Sequence, residues 1–303
     1  MSKMVRFWDL YYLHPTDQGY SEMLQSGTGR CEDISNMISF ANRANAIAVA
    51  SDYTPAWANR DNNHAWNAVL GPDGKGSAPI HNVAAKIYRK TYARQKDCWA
   101  DQAGENEKVP RWLARRHYTD VTDQYMPTTD VTVELTTPAP SNSSLAYLCV
   151  FNGGDWIAIQ GGVAHNGSVT FEKMGRGVLL LAAWYDGEQL IPAAPPLTIE
   201  TDGAVQFHRG TNGFNVLDIT TTKPETGDDD TLRPIPAIQV KAGQQYELLV
   251  WDNGWQSHGS KIGTDQPVRF ELLPSGRLYW VIAKDGRRLE RPFVIEGGKQ
   301  RMW

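Results

Sequence analysis

The amino-acid sequence predicts an α+β protein, with a mixed helix-and-strand segment followed by two tandem β-sandwich modules. Three observations predict it. Ile34, Met37, Ile38, Ala41 and Ala44 recur at helical spacing, which marks an amphipathic helix over residues 31–44. From Thr128 onward the chain changes to short β-branched and aromatic runs cut by Gly, Pro and Asn. Within that second part, a stretch of sequence repeats itself at a constant offset.

The elements follow in order. After the helix, Ala46-Ile47-Ala48-Val49-Ala50 reads as a short buried strand. His64 to Leu70 alternates as a strand, and Gly71-Pro72-Asp73-Gly74-Lys75-Gly76 turns the chain into Ser77–Ile80. Val83 to Gln95 is predicted to be a second helix, with Lys86, Arg89 and Lys90 on its wet side. Met126-Pro127-Thr128-Thr129 marks the boundary to the β region. There Tyr147 corresponds to Tyr246, Trp156 to Trp255, Phe171-Glu172 to Phe270-Glu271 and Leu179 to Leu278, all 99 positions apart. Asp186-Gly187 and Asp285-Gly286 correspond as hairpin turns, since Asp-Gly tolerates positive φ. The expected domains are 1–127, 128–210 and 211–303. Repeat-equivalent Trp156 and Trp255 are expected in the module cores, and Trp251 and Trp280, which have no tryptophan counterpart, on the surface.

Composition narrows the function. The 303 residues are 41% hydrophobic and 21% charged, ample for packed cores. A net charge of −4 supplies no basic field for nucleic acid. No apolar run approaches the roughly 18 residues of a membrane span. The opening Met1-Ser2-Lys3-Met4-Val5-Arg6-Phe7-Trp8 lacks the apolar core of a secretion signal, which reads as cytoplasmic at face value and as exported for a trimmed chain. Cys31, Cys98 and Cys149 are too scattered for a disulfide framework. A metal site at Cys31, His64 and His81 lacks a fourth ligand, the run Asp228-Asp229-Asp230 lacks calcium-loop spacing, and no cofactor is called for.

Chemistry centres on Cys31, which follows Gly27-Thr28-Gly29-Arg30 and opens the first helix. A helix N-terminus favours the thiolate, the nucleophilic form; otherwise Cys31 is a small buried residue. His64 begins the strand Asn63-His64-Ala65-Trp66-Asn67, where it can serve as general base or as a packed structural residue. These two motifs, in this order, resemble the transglutaminase-like cysteine superfamily, in particular bacterial members with a short core followed by β-sandwich modules. The resemblance implies a papain-like fold and a Cys-His-Asp triad, with the acid on the strand after the histidine strand. The stretch Ser77–Asn82 carries no carboxylate, so Asn82 is the candidate to orient His64, or else the N-cap of the second helix. Gln25 stands six residues before Cys31, the spacing of the oxyanion glutamine in papain-like proteases, and the Cys31 N–H is a second donor. Trp57, Asn63 and Trp66 are candidates for the substrate cleft. Arg111-Trp112-Leu113-Ala114-Arg115-Arg116 is expected to dock the first domain on the first β module. The implied function is thiol-dependent acyl transfer, as hydrolysis of a peptide or amide bond or as transglutaminase-type transfer to an amine, with hydrolysis slightly favoured, on a peptide, protein or glycopeptide substrate. The alternative is an inactive scaffold whose β modules bind glycan or cell-surface protein.

Overall fold

A computed structural model describes residues 5–8, 16–227 and 234–303, so Asp228-Asp229-Asp230 and the first four residues lie outside the described residues. Among the described residues the chain is mostly strand, 43% against 10% helix, with three helices and many antiparallel sheets. This corrects the α+β, papain-like expectation: the fold is β-rich, with its few helices confined to the first region.

In the first region β1 (Arg6–Phe7) runs parallel to β2 (Thr28–Gly29), with α1 (Tyr20–Ser26) between them in the chain. The helix α2 (Cys31–Ala44) then packs on a four-stranded sheet. Its order is β4 (His64–Val69), β3 (Val49–Thr54), β5 (Tyr88–Lys90) and β6 (Tyr118–Asp120). A single turn of helix, α3 (Trp99–Gln102), lies between β5 and β6. The segment predicted as a second helix is extended instead. Ala84, Ala85, Lys86, Ile87, Tyr88 and Arg89 are all buried, which an amphipathic helix with wet lysine and arginine does not allow. Lys86 donates to Asp120 and to the Glu172 and Lys173 carbonyls, while Arg89 forks onto Asp52. Burial pulls the Lys86 ammonium below its ordinary range, against the pull of Asp120. Asn82 therefore caps no helix, and Ser77–Ile80 forms no strand.

The repeat is structural. In the first copy β7 (Thr128–Glu134) pairs with β10 (Ser168–Gly175) against a six-stranded sheet. That sheet holds β8 (Leu145–Asn152), β9 (Asp155–Val163), β11 (Val178–Tyr185), β12 (Leu190–Pro192), β13 (Leu197–Ile199) and β14 (Val205–Phe207). In the second copy β15 (Phe214–Ile219) pairs with β20 (Val268–Pro274), and β16 (Thr221–Lys223) with β17 (Ile238–Gln239). The companion five-stranded sheet holds β18 (Gln245–Trp251), β19 (Trp255–Ile262), β21 (Tyr279–Ala283), β22 (Phe293–Glu296) and β23 (Lys299–Met302). Repeat partners Tyr147 and Tyr246, Phe171 and Phe270, and Leu179 and Leu278 are buried in both copies.

Trp251 and Trp280 are not on the surface. They meet Phe151 and Trp156 of the first module at ring-centroid distances of 4.9 Å (Phe151–Trp280) and 5.6 Å (Trp156–Trp251), and Trp255 joins the cluster. Aromatic side chains that look unmatched in the repeat are unmatched because they cover the neighbouring module. This cluster is continuous with Cys31, Tyr53 and Leu113, so one hydrophobic core runs through all three regions.

The C-terminal Trp303 ring lies 6.2 Å from the His208 ring. Burial drives the His208 imidazole down to about 4, against the upward pull of Glu200. The folded protein thus holds it neutral, and the stabilisation is complete above the ordinary value of about 6.5 and lost as pH falls through 4. Denaturant titrations between these limits should show stability falling with pH by up to about 3 kcal/mol, a slope that His208→Gln removes. An unchanged slope in the variant would assign the effect elsewhere.

Candidate functional site

The helix start is built around a buried carboxylate. Asp33, 1% exposed, accepts the Arg30 N–H at 3.0 Å, closing the first turn from its third helical position. Its oxygens also accept the Gln18 backbone N–H at 2.8 Å and Gln18 Nε2 at 3.2 Å, and that same amide donates to the Thr28 carbonyl. Gly29 is needed here, since a Cβ would stand 2.9 Å from Asp33 Cβ. Gln18, which sequence spacing did not single out, is thus the glutamine that organises the helix start. Gln25 sits exposed on α1 and contributes nothing visible to an oxyanion site.

Cys31 occupies the first helical position and is 5% exposed. Its Sγ donates to Glu32 Oε2 at 3.1 Å, and Asn63 Nδ2 donates to the other Glu32 oxygen at 2.8 Å. Arg30 Nε stands 3.9 Å from Glu32 Oε2, and the Arg30 guanidinium pairs with Asp17 at 2.5 Å. A thiol, a carboxylate and an orienting amide are therefore linked in one chain at the positive end of the helix.

The β3–β4 register decides where His64 points. Cα partners are Thr54 with His64, Tyr53 with Ala65, Asp52 with Trp66 and Ser51 with Asn67, and directly opposed residues share a face. Asn67 Nδ2 donates to the Ser35 carbonyl and to Ser39 Oγ of α2, and Tyr53 and Ala65 join Cys31 in one core. The odd-numbered β4 residues thus face α2. His64 and Trp66 face the other way, where the His64 ring stacks on Trp57 at 5.9 Å and on Trp66 at 5.6 Å. Trp66 Nε1 donates to the Tyr125 hydroxyl, which donates to Asp52 Oδ2.

The structure therefore brings Asn63 to Glu32, the partner of Cys31, and carries His64 to the opposite face of the ribbon. Trp57, 1% exposed, is a plug of the fold, and Trp66 packs with it. Asn82 is buried beside Gly227, just before the Val83 N–H that donates to Asn59 Oδ1. The segment from Pro55 to Asn63 is held from both β modules. Asn152 Nδ2 donates to the Trp57, Arg60 and Asn62 carbonyls, and Arg291 donates to the Ala58 carbonyl.

A cleft of about 470 Å³ opens at this helix start. Glu32 and Asn63 line it together with Tyr53, Lys90, Arg111, Trp112 and Arg115. The sequence patch Arg111–Arg116 thus supplies cleft residues rather than only a docking surface, a role that three arginines gathered around Trp112 could have signalled. A larger hollow of about 620 Å³ lies apart from Cys31, where Trp99 covers Gly161. Its Asp120 is already engaged by Lys86 and by Thr122. Among the described residues no three His, Cys, Asp or Glu side chains are grouped to hold a metal ion, and no helix is long and apolar enough to cross a membrane. Comparison with protein families, curated proteins and solved structures finds no match.

Proposed function

We propose that the chain is a thiol-dependent acyl-transfer enzyme acting on a peptide or amide bond, with Cys31 as nucleophile. The observation that carries this reading is the Cys31–Glu32–Asn63 chain of hydrogen bonds at the start of α2, whose Glu32 and Asn63 line an open cleft while Cys31 lies buried just behind them. The resemblance of Gly29-Arg30-Cys31 and Asn63-His64-Ala65-Trp66-Asn67 to transglutaminase-like motifs supports it. In the reaction, the Cys31 proton passes to Glu32 as the sulfur bonds to the carbonyl carbon. The tetrahedral oxyanion is met by backbone N–H groups at the helix N-terminus, where the dipole favours negative charge. The proton then goes to the departing amine as the C–N bond breaks, and water or a second amine resolves the thioester. His64 enters as a positioning residue, its ring fixing the start of β4 and with it Asn63.

Alkylation by iodoacetamide with mass mapping tests the nucleophile. All three cysteines are buried, but Cys31 is the least enclosed and sits at a helix N-terminus, whereas burial raises the Cys98 and Cys149 thiols, so Cys31 should react about tenfold faster than either. Glu32→Gln should speed the labelling, because it removes a negative charge beside the sulfur. The same variant should slow peptide-bond turnover by about 100-fold or more through loss of the proton acceptor. His64→Phe leaves the labelling rate unchanged, whereas a working Cys31–His64 dyad requires a slower reaction.

A second reading, a non-catalytic binding module, is favoured by the placement of His64 away from α2. It takes the lead if Cys31 reacts no faster than the other two thiols.

A further inference from the structure

We propose that the cleft selects an acidic peptide, whose carboxylates are gripped by Lys90, Arg111 and Arg115. As a substrate class this rests on the thiol reading above; as a binding preference it stands by itself. Cationic side chains converge on the cleft from three separated parts of the chain: Arg30 at the α2 start, Lys90 at the end of β5, and Arg111 with Arg115. Arg30 is satisfied by Asp17, Glu32 and Asp33. Lys90, Arg111 and Arg115 have no carboxylate within ion-pair reach among the described residues. Three unmatched cations on one cleft, in a chain of net charge −4, leave a strong local demand for an anion.

The demand is preorganised. The Arg115 guanidinium lies over the Trp112 ring at 4.8 Å, and Trp112 stacks on Tyr53 at 5.7 Å. A guanidinium resting on an indole keeps its N–H fork free for bidentate contact with a carboxylate. Beyond Tyr53, Lys90 and Arg115 the cleft continues into an adjoining hollow of about 490 Å³. That length suits an extended chain bearing more than one carboxylate rather than a single small anion. Trp112 already contacts Tyr53 and Arg115, so it offers little aromatic area for stacking a sugar or a base. A peptide is therefore favoured over an anionic glycan.

The test uses the full chain carrying Cys31→Ala, so that binding is read without turnover. Fluorescence anisotropy compares a labelled Glu/Asp-rich peptide, its Gln/Asn counterpart and an anionic uronate oligosaccharide. The acidic peptide should bind about tenfold or more tightly than its amide counterpart. The preference should shrink as salt screens the cleft. Arg115→Gln or Lys90→Gln should each weaken acidic-peptide binding about tenfold. Equal affinity for both peptides, indifference to the two substitutions, or tighter binding of the oligosaccharide would overturn the proposal. Labelling of Cys31 in the unmodified chain, run in parallel, separates the two ideas. A reactive Cys31 without peptide preference sinks the acidic-peptide proposal alone. A tight acidic peptide over an unreactive Cys31 upholds the cleft preference and overturns the thiol reading.

Discussion

Replacing Arg291 by alanine should cost about 3–5 kcal/mol, because it breaks a buried, charged clamp and leaves its partners unpaired. Arg291 is 1% exposed and comes from the last module. Its Nη2 donates to the Ala58 carbonyl at 2.8 Å, its Nε donates to the Trp303 carbonyl, and Nη1 stands 3.5 Å from Asp61. The guanidinium also lies 5.6 Å from the centre of the Phe151 ring. Burial draws it down to about 10, against the pull of Asp61, so the cation is held at a cost that only its full set of partners offsets. The same residue moors the segment before β4, and Asn63 at the end of that segment orients Glu32. In Arg291→Ala, trypsin should therefore cut after Arg60 faster than in the parent protein, and the denaturant midpoint should fall. A loss below about 1 kcal/mol would mean that Asn152 alone secures the segment, since one neutral hydrogen bond contributes about that much.

Asp52→Ala should destabilise the first region by a similar 3–5 kcal/mol, roughly, through a different network. Asp52 is fully buried and receives Arg89 Nε and Nη2, each at 2.8 Å, a bidentate fork. Arg89 in turn donates to the Gly74 and Gly76 carbonyls, tying down the turn after β4, and its guanidinium is pushed up by the hydrogen bonds to Asp52. The Tyr125 hydroxyl donates to Asp52 Oδ2 at 2.6 Å and receives Trp66 Nε1 at 2.9 Å. Tyr125→Phe removes only the hydroxyl link and should cost about 1–3 kcal/mol. A double-mutant cycle with Asp52→Asn should return a coupling of at least about 0.5 kcal/mol, as expected for members of one network. Strict additivity would show that Tyr125 and Asp52 act independently.

Local pattern carried some elements faithfully. The helical spacing of Ile34, Met37, Ile38 and Ala41 matches α2 at Cys31–Ala44, though Ile34 and Met37 pack toward Val5 and Met23 while Ser35 and Ser39 meet β4. The alternation after Asn63 matches β4, and the turn from Gly71 closes through the Gly74 N–H and the Gly71 carbonyl. Residues 83–95 misled for an equally physical reason. Lys86 and Arg89 look like the wet side of a helix, yet their carboxylates, Asp120 and Asp52, arrive from strands 34 and 37 residues away. A buried ion pair cannot be told from two solvated charges until the partners are placed.

The site divides in the same way. The chain's own letters determined a thiol at a helix start and a repeated β module, since each depends on residues close together or on a constant offset. The tertiary structure decided the rest. Pairing of β3 with β4 set the parity that turns Asn63 toward Glu32 and His64 toward Trp57, and a one-residue change of register would reverse both. Packing of one module on the other buried Trp251 and Trp280. The fold also gathered Lys90, Arg111 and Arg115 onto one cleft. Which face a side chain takes, and which distant charge answers it, follows from strand register and long-range contacts, and a linear sequence shows neither.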